Sequence, residues 1–130
     1  MQLVLANLCL THAPLVELID NRIHWDELPQ GLGNPSIVMH LITGVPGYTH
    51  AGADGLEFAR VQFDCRGGTA AQARQVAAEL DALLSGFKGE FDGFRFDGAF
   101  KQAQRSRSDK DGSDSWFTAF TDYIIWWAAA

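Results

Sequence analysis

LEFARVQFDCRGGTAAQARQVAAELDALLSGF, residues 56–87, reads as one β-strand running into one helix. Ala59, Val61, Phe63 and Cys65 alternate with Arg60, Gln62, Asp64 and Arg66, the period of two that marks a strand with one covered face. Gly67 and Gly68 supply a turn. Thr69 then stands where a helix cap belongs, with Gln72 three residues on to reach back. From there Ala73, Val76, Ala77, Leu80, Leu83 and Leu84 recur at the spacing of a single apolar stripe, and Gly86 ends it. The block predicts a sheet with a helix packed across it. It carries no chemistry of its own.

Working outward from that block, residues 2–20 are leucine-rich and predict a helix that Pro14 kinks or splits, with Thr11 capping the second piece. Residues 22–34 lose periodicity and read as a surface loop pinned by Ile23 and Trp25. Residues 36–43 are apolar on both faces apart from His40, which predicts a strand covered above and below. The glycine-rich residues 44–55 read as either a wide hairpin loop or a disordered tip, and with no helix intervening the two flanking strands should be antiparallel. Residues 89–106 alternate again, with Phe94, Phe96 and Phe100 on one side and Arg95, Asp97, Lys101 and Arg105 on the other. Gly98 marks a bulge. Residues 107–114 are charge, serine and glycine, and predict a flexible, solvated loop. Residues 115–127 have the strongest β signal in the chain.

The sum is one α+β domain over residues 1–130. Its expected core is a four-stranded, mostly antiparallel sheet with two helices on one face, in the order α-β-β-α-β-β. Both sides of the last strand are apolar, so a monomer is expected to leave an apolar patch around Trp116, Phe117, Trp126 and Trp127, and such patches mark subunit contacts.

With 130 residues the chain can bury a core without metal or disulfide. Cys9 and Cys65 lie on apolar faces and read as reduced core residues. The apolar N-terminus has no basic flank or cleavage site, so neither export nor a membrane span is expected. Ten basic residues face sixteen acidic ones, a net charge of −6. Gripping nucleic acid by its phosphates needs clustered Lys and Arg, so specific DNA binding is unsupported. DNA that slides past is compatible with an acidic surface.

Candidate chemistry is sparse. Cys9 and His12 have the spacing of half a zinc site, but no second pair follows. Cys65 served by His40 or His50 would need an accessible, basic setting that its apolar face does not suggest. Glu57 and Asp64 fall on opposite strand faces and cannot work as an acid–base pair. Phosphate-binding, dinucleotide-binding and hydrolase motifs are absent from the sequence. No cofactor or metal is expected. A small ligand-binding domain or enzyme, with His40 and Asp64 as polar groups in a sheet-face pocket, is the rival to a structural role.

Read in order, several segments resemble the tail-completion, or tail-terminator, proteins of long-tailed bacteriophages, related in fold to the minor tail protein U of lambda-like phages. They are the N-terminal leucine-rich helix leading to Asn21-Arg22-Ile23-His24, Leu28-Pro29-Gln30-Gly31, Asn34-Pro35-Ser36-Ile37-Val38 and Ile42-Thr43-Gly44. Arg60-Val61-Gln62-Phe63-Asp64-Cys65, the alanine-rich helix and Asp122-Tyr123-Ile124-Ile125-Trp126 complete the set. The resemblance implies a non-enzymatic virion protein that forms a hexameric ring at the head-proximal end of the tail tube. Such a ring stops tube polymerisation, meets head–tail connector or neck proteins, and lets genome DNA pass. On that reading Arg60, Gln62, Asp64, Arg66, Trp116, Phe117, Trp126 and Trp127 are candidates for contact between copies. Arg105, Arg107, Asp109, Lys110, Asp111 and Asp114 are candidates for docking on tube or neck.

Overall fold

The computed structural model describes residues 2–27, 35–43, 57–111 and 114–129. They form α1 (Gln2–Cys9), α2 (Ala13–Ile19), β1 (Ile23–Trp25), β2 (Ser36–Thr43), β3 (Glu57–Gly67), α3 (Ala70–Leu84), β4 (Gly89–Phe91), β5 (Phe94–Asp111) and β6 (Asp114–Ala129). One six-stranded sheet runs in the order β1-β2-β3-β6-β5-β4. All its pairings are antiparallel except β1 with β2.

The α+β class holds, but the expected four strands, two helices and α-β-β-α-β-β order do not. Pro14 sits in the first turn of α2, and the N-terminal segment is two short helices. The cap of α2 is His12 rather than Thr11, whose hydroxyl instead donates to the Leu8 carbonyl at 2.6 Å. Within the expected surface loop, Ile23–Trp25 is a strand, in register with Ile37, Val38 and Met39. The strand expected over residues 89–106 is interrupted by a turn at Asp92 and Gly93, so Gly89–Phe91 is a separate short edge strand paired with the start of β5. The three residues of β1 show too little alternation to be read as strand, and they are fixed by pairing with β2. The loop expected at residues 44–55 lies outside the described residues.

The core lies on one face of the sheet. Leu5, Leu15 and Ile19 of the first two helices and Val76, Leu80 and Leu84 of α3 pack on Ile37, Met39, Val61, Phe63, Cys65, Tyr123 and Ile125. Each large side chain removed from water in this layer stabilises the fold by about 1.5–3 kcal/mol. Phe63 and Tyr123 meet edge to face at 5.6 Å, and the Tyr123 hydroxyl donates to Asp81 of α3 at 2.6 Å. The start of α3 is set closely. Thr69 Oγ1 accepts from the Gln72 amide, and Gln72 Oε1 accepts from the Gly68 amide. Gly67 leaves no room for a side chain, because a Cβ there would sit 2.5 Å from the Ala73 nitrogen.

β5 and β6 form a long hairpin, and here the expected loop at 107–114 is corrected. Arg107, Ser108, Asp109, Lys110 and Asp111 continue the ladder opposite Thr118, Phe117, Trp116, Ser115 and Asp114. Polar residues that cannot pack can still be held by backbone pairing. The bulge at Gly98 is present, since the register shifts between Phe96 and Gly98 and again between Lys101 and Ala103. One extra residue reverses the side on which later side chains emerge. Phe96 is buried in the core, whereas Phe100, expected beside it, lies opposite Ile124 on the other face and is 49% exposed.

Candidate functional site

The face of the sheet turned away from the helices is a connected polar surface. Strand alternation puts Val38 and His40 of β2, Arg60, Gln62, Asp64 and Arg66 of β3, and Thr118, Phe120, Asp122, Ile124 and Trp126 of β6 on it. Phe100, Arg105 and Arg107 of β5 join them. The expected polar side of β3 is therefore real, and it is bonded in both directions across the sheet.

Two groups of contacts make up this surface. Arg60 Nη2 donates to Asp122 Oδ2 at 2.9 Å, with Asp122 only 4% exposed. The other oxygen of that carboxylate and Nε of the guanidinium have no partner. Beside this pair, Asp64 is buried between His40, whose Nε2 lies 2.9 Å from Oδ2, and Gln62, whose amide donates to Oδ1 at 2.7 Å. With a neutral His40 bearing its proton on Nε2, the imidazole donates to the carboxylate. Arg105 then reaches from β5 across β6 to donate to Gln62 Oε1 at 3.0 Å. It can do so because its guanidinium lies on the Phe120 ring, 5.1 Å from the centroid, with Arg107 on the same ring at 5.3 Å. Hydrogen bonds of this kind, each joining a buried carboxylate to a partly exposed partner, fix geometry more than they add stability, because desolvating the carboxylate offsets much of the attraction.

The chemistry open to this arrangement is limited. His40 and Asp64 do meet, but the thiols lie on the helix side, so Cys65 and His40 are separated by the sheet itself. Burial pushes the Cys9 thiol up to about 12 and the Cys65 thiol higher still, Asp64 adding to the effect. Tyr123 is also raised, first by burial and then by its bond to Asp81. Among the described residues no group of three His, Cys, Asp or Glu could hold a metal ion, and no helix is long and apolar enough to cross a membrane. A groove of about 280 Å³ lies on the opposite face, between Ala70, Ala73 and Arg74 of α3 and Ser106, Phe117 and Ala119 of the hairpin.

The family model described as Tail completion protein gp17 matches residues 4–128. The chain belongs to this family. The resemblance carried by the ordered segments is thereby confirmed, and the chain is a structural tail protein of a phage-type virion, assembling there with other tail and head proteins. Among solved structures, a chain from the "Virion of native gene transfer agent (GTA) particle" has the same fold, with a TM-score of 0.70 over 96% of this chain and 93% of that one, at 14% identity. No curated protein matches the sequence.

In this tail completion family member the aromatic candidates divide. Phe117 and Trp127 are partly buried against the helix-side core, whereas Trp116 and Trp126 emerge on the open face, half-buried. All four aromatic candidates for an apolar patch along the last strand are partly buried, two on each face of β6. The large apolar side chains exposed among the described residues are instead Leu41, Ile42 and Phe100. Sequence reasoning set His40 beside Asp64 only in the ligand-binding reading, and it missed Asp122, Phe120 and Arg105 as parts of the same surface. Only the strand register brings them together.

Proposed function

We propose that the chain is one subunit of a ring, most simply a hexamer, at the head-proximal end of a tail tube, where it ends tube polymerisation and joins the tail to the head. The observation that carries this reading is the match of the tail completion family model to residues 4–128. On this reading the open face, with Arg60, Gln62, Asp64, Arg66, Trp116 and Trp126, looks toward a neighbouring copy or the channel. The hairpin end, with Arg105, Arg107, Asp109, Lys110, Asp111 and Asp114, docks on the tube or on a neck protein. A net charge of −6 suits DNA that passes without specific binding. The role is structural rather than enzymatic, in keeping with two thiols held neutral by burial.

Electron microscopy of tails assembled with and without the protein tests this function. Loss should give tails of irregular length that fail to join heads. Unchanged tail length and unchanged joining would refute it.

A further inference from the structure

Charge and apolar exposure divide between opposite edges of the sheet. β4 pairs only with the start of β5, so from Gly98 onward β5 is an edge strand. Residues 98–108 contain Lys101, Arg105 and Arg107 and no acidic residue, a local charge of 3 − 0 = +3, and all three side chains are exposed. Lys101 lies 3.5 Å from Asp81, and the hairpin tip beyond carries Asp109, Lys110, Asp111 and Asp114.

The far edge, at β1, has the opposite character. Residues 17–27 contain Glu17, Asp20, Asp26 and Glu27 against Arg22, a local charge of 1 − 4 = −3. Those four carboxylates are exposed and form no ion pair among the described residues. Arg22 is turned inward, donating to the carbonyls of Pro35 and Leu18.

The three exposed large apolar side chains fall at the same two places. Phe100 is on β5, on the same face as Arg105 and Arg107, whereas Lys101 emerges on the helix side toward Asp81. Leu41 and Ile42 lie on β2 just past the end of β1, where the Asp26 amide bonds to the Met39 carbonyl. Each edge thus combines an apolar element with one sign of charge, the makeup of a contact centre with a polar rim.

We propose that these edges are complementary, so that the β5 edge of one copy, through Phe100, Arg105 and Arg107, seats on the β1–β2 corner of the next, through Asp26, Glu27, Leu41 and Ile42, which takes the two arginines out of the tube-docking set and leaves that contact to the hairpin tip at residues 109–114. The proposal deepens the ring reading above and rests on it. Like edges repel, +3 against +3 and −3 against −3, which disfavours a two-fold dimer through either edge and leaves the head-to-tail contact. Head-to-tail contacts close into rings or run on as filaments.

The test is a charge exchange between two variants, followed by sedimentation velocity at low and high salt, with circular dichroism melts to verify folding. One variant carries Arg105→Glu and Arg107→Glu. The other carries Asp26→Lys and Glu27→Lys. Wild-type protein should self-associate, and more weakly as salt rises. Each variant alone should associate about ten-fold more weakly or worse, and an equimolar mixture of the two should recover association. Phe100→Ser, which alters no charge, should also weaken it and carries the test if a charge variant does not fold. Folded single variants that associate like wild type, or a mixture that does not recover, would overturn the proposal while leaving the ring intact. Wild-type protein that stays monomeric throughout would overturn pairing of free copies by these edges, and the ring reading would then stand or fall on the tail micrographs.

Discussion

The two faces of this sheet use the same strands for opposite ends. On the helix side, Val61, Phe63, Cys65, Tyr123 and Ile125 are almost fully removed from water and pack against three helices. One residue along each strand, Arg60, Gln62, Asp64 and Asp122 make side-chain bonds to one another or to His40 and Arg105. The first arrangement is worth kilocalories and tolerates rearrangement of shape. The second gains little net energy from each bond, but every bond is directional, and it holds long side chains in one place on a surface. Stability and surface geometry are therefore written on alternate residues. A tail protein that must keep a fixed outline while meeting other proteins has reason to separate them.

Phe63→Ala should cost about 3–5 kcal/mol, because it empties a fully buried site and removes the ring that Tyr123 abuts. Urea unfolding measures it, and a loss under about 1 kcal/mol would mean the helix-side layer is not the seat of stability.

A second test separates the faces by pH. The folded-state thiol of Cys9 is raised from an ordinary 9.0 to about 12. Its contribution to stability is thus intact below the ordinary value and is lost as pH climbs through the raised one, since the unfolded chain ionises first. The stability gap between wild type and Cys9→Ala should move against wild type as pH rises from 9.0 toward about 12. A gap that stays constant with pH would place that thiol in contact with water.

The smallest effect belongs to the open face. Asp122→Ala should cost about 1–3 kcal/mol, at the low end because the Arg60 side chain left behind is 39% exposed. Replacing both partners, Asp122→Leu with Arg60→Met, should recover much of it. A double variant as unstable as the single one would show that the pair is not acting as a unit.

The β3–α3 block was legible because eleven strand residues and a fifteen-residue helix give several periods of each pattern in succession. β1 is not, since its three residues carry no period and it is a strand by virtue of β2, and the alternation over residues 89–106 does not reveal the turn at Asp92 and Gly93 that divides β4 from β5. The hairpin was hidden by composition: polar residues 107–111 look unfit for structure until β6 is seen supplying their backbone partners. Phe100 falls on the other face from Phe96 because a register shift lies between Phe96 and Gly98, and an alternation rule carries no memory of an inserted residue. For the open face, parity placed Arg60, Gln62, Asp64 and Arg66 together correctly. Their partners come from β2, β5 and β6, as far as 62 residues away in the chain, and nothing local to residues 60–66 names them.

Gly67 sits at the pivot of a lever. From it α3 runs fifteen residues, roughly 22 Å at 1.5 Å per residue, and near the far end Asp81 has to meet the Tyr123 hydroxyl at 2.6 Å. A methyl group at the pivot would force the Ala73 nitrogen aside, and a few degrees of tilt there become an ångström or more where Asp81 meets the sheet. The alignment of the whole helical layer with the strands beneath it is thus calibrated at one residue that has no side chain to misplace.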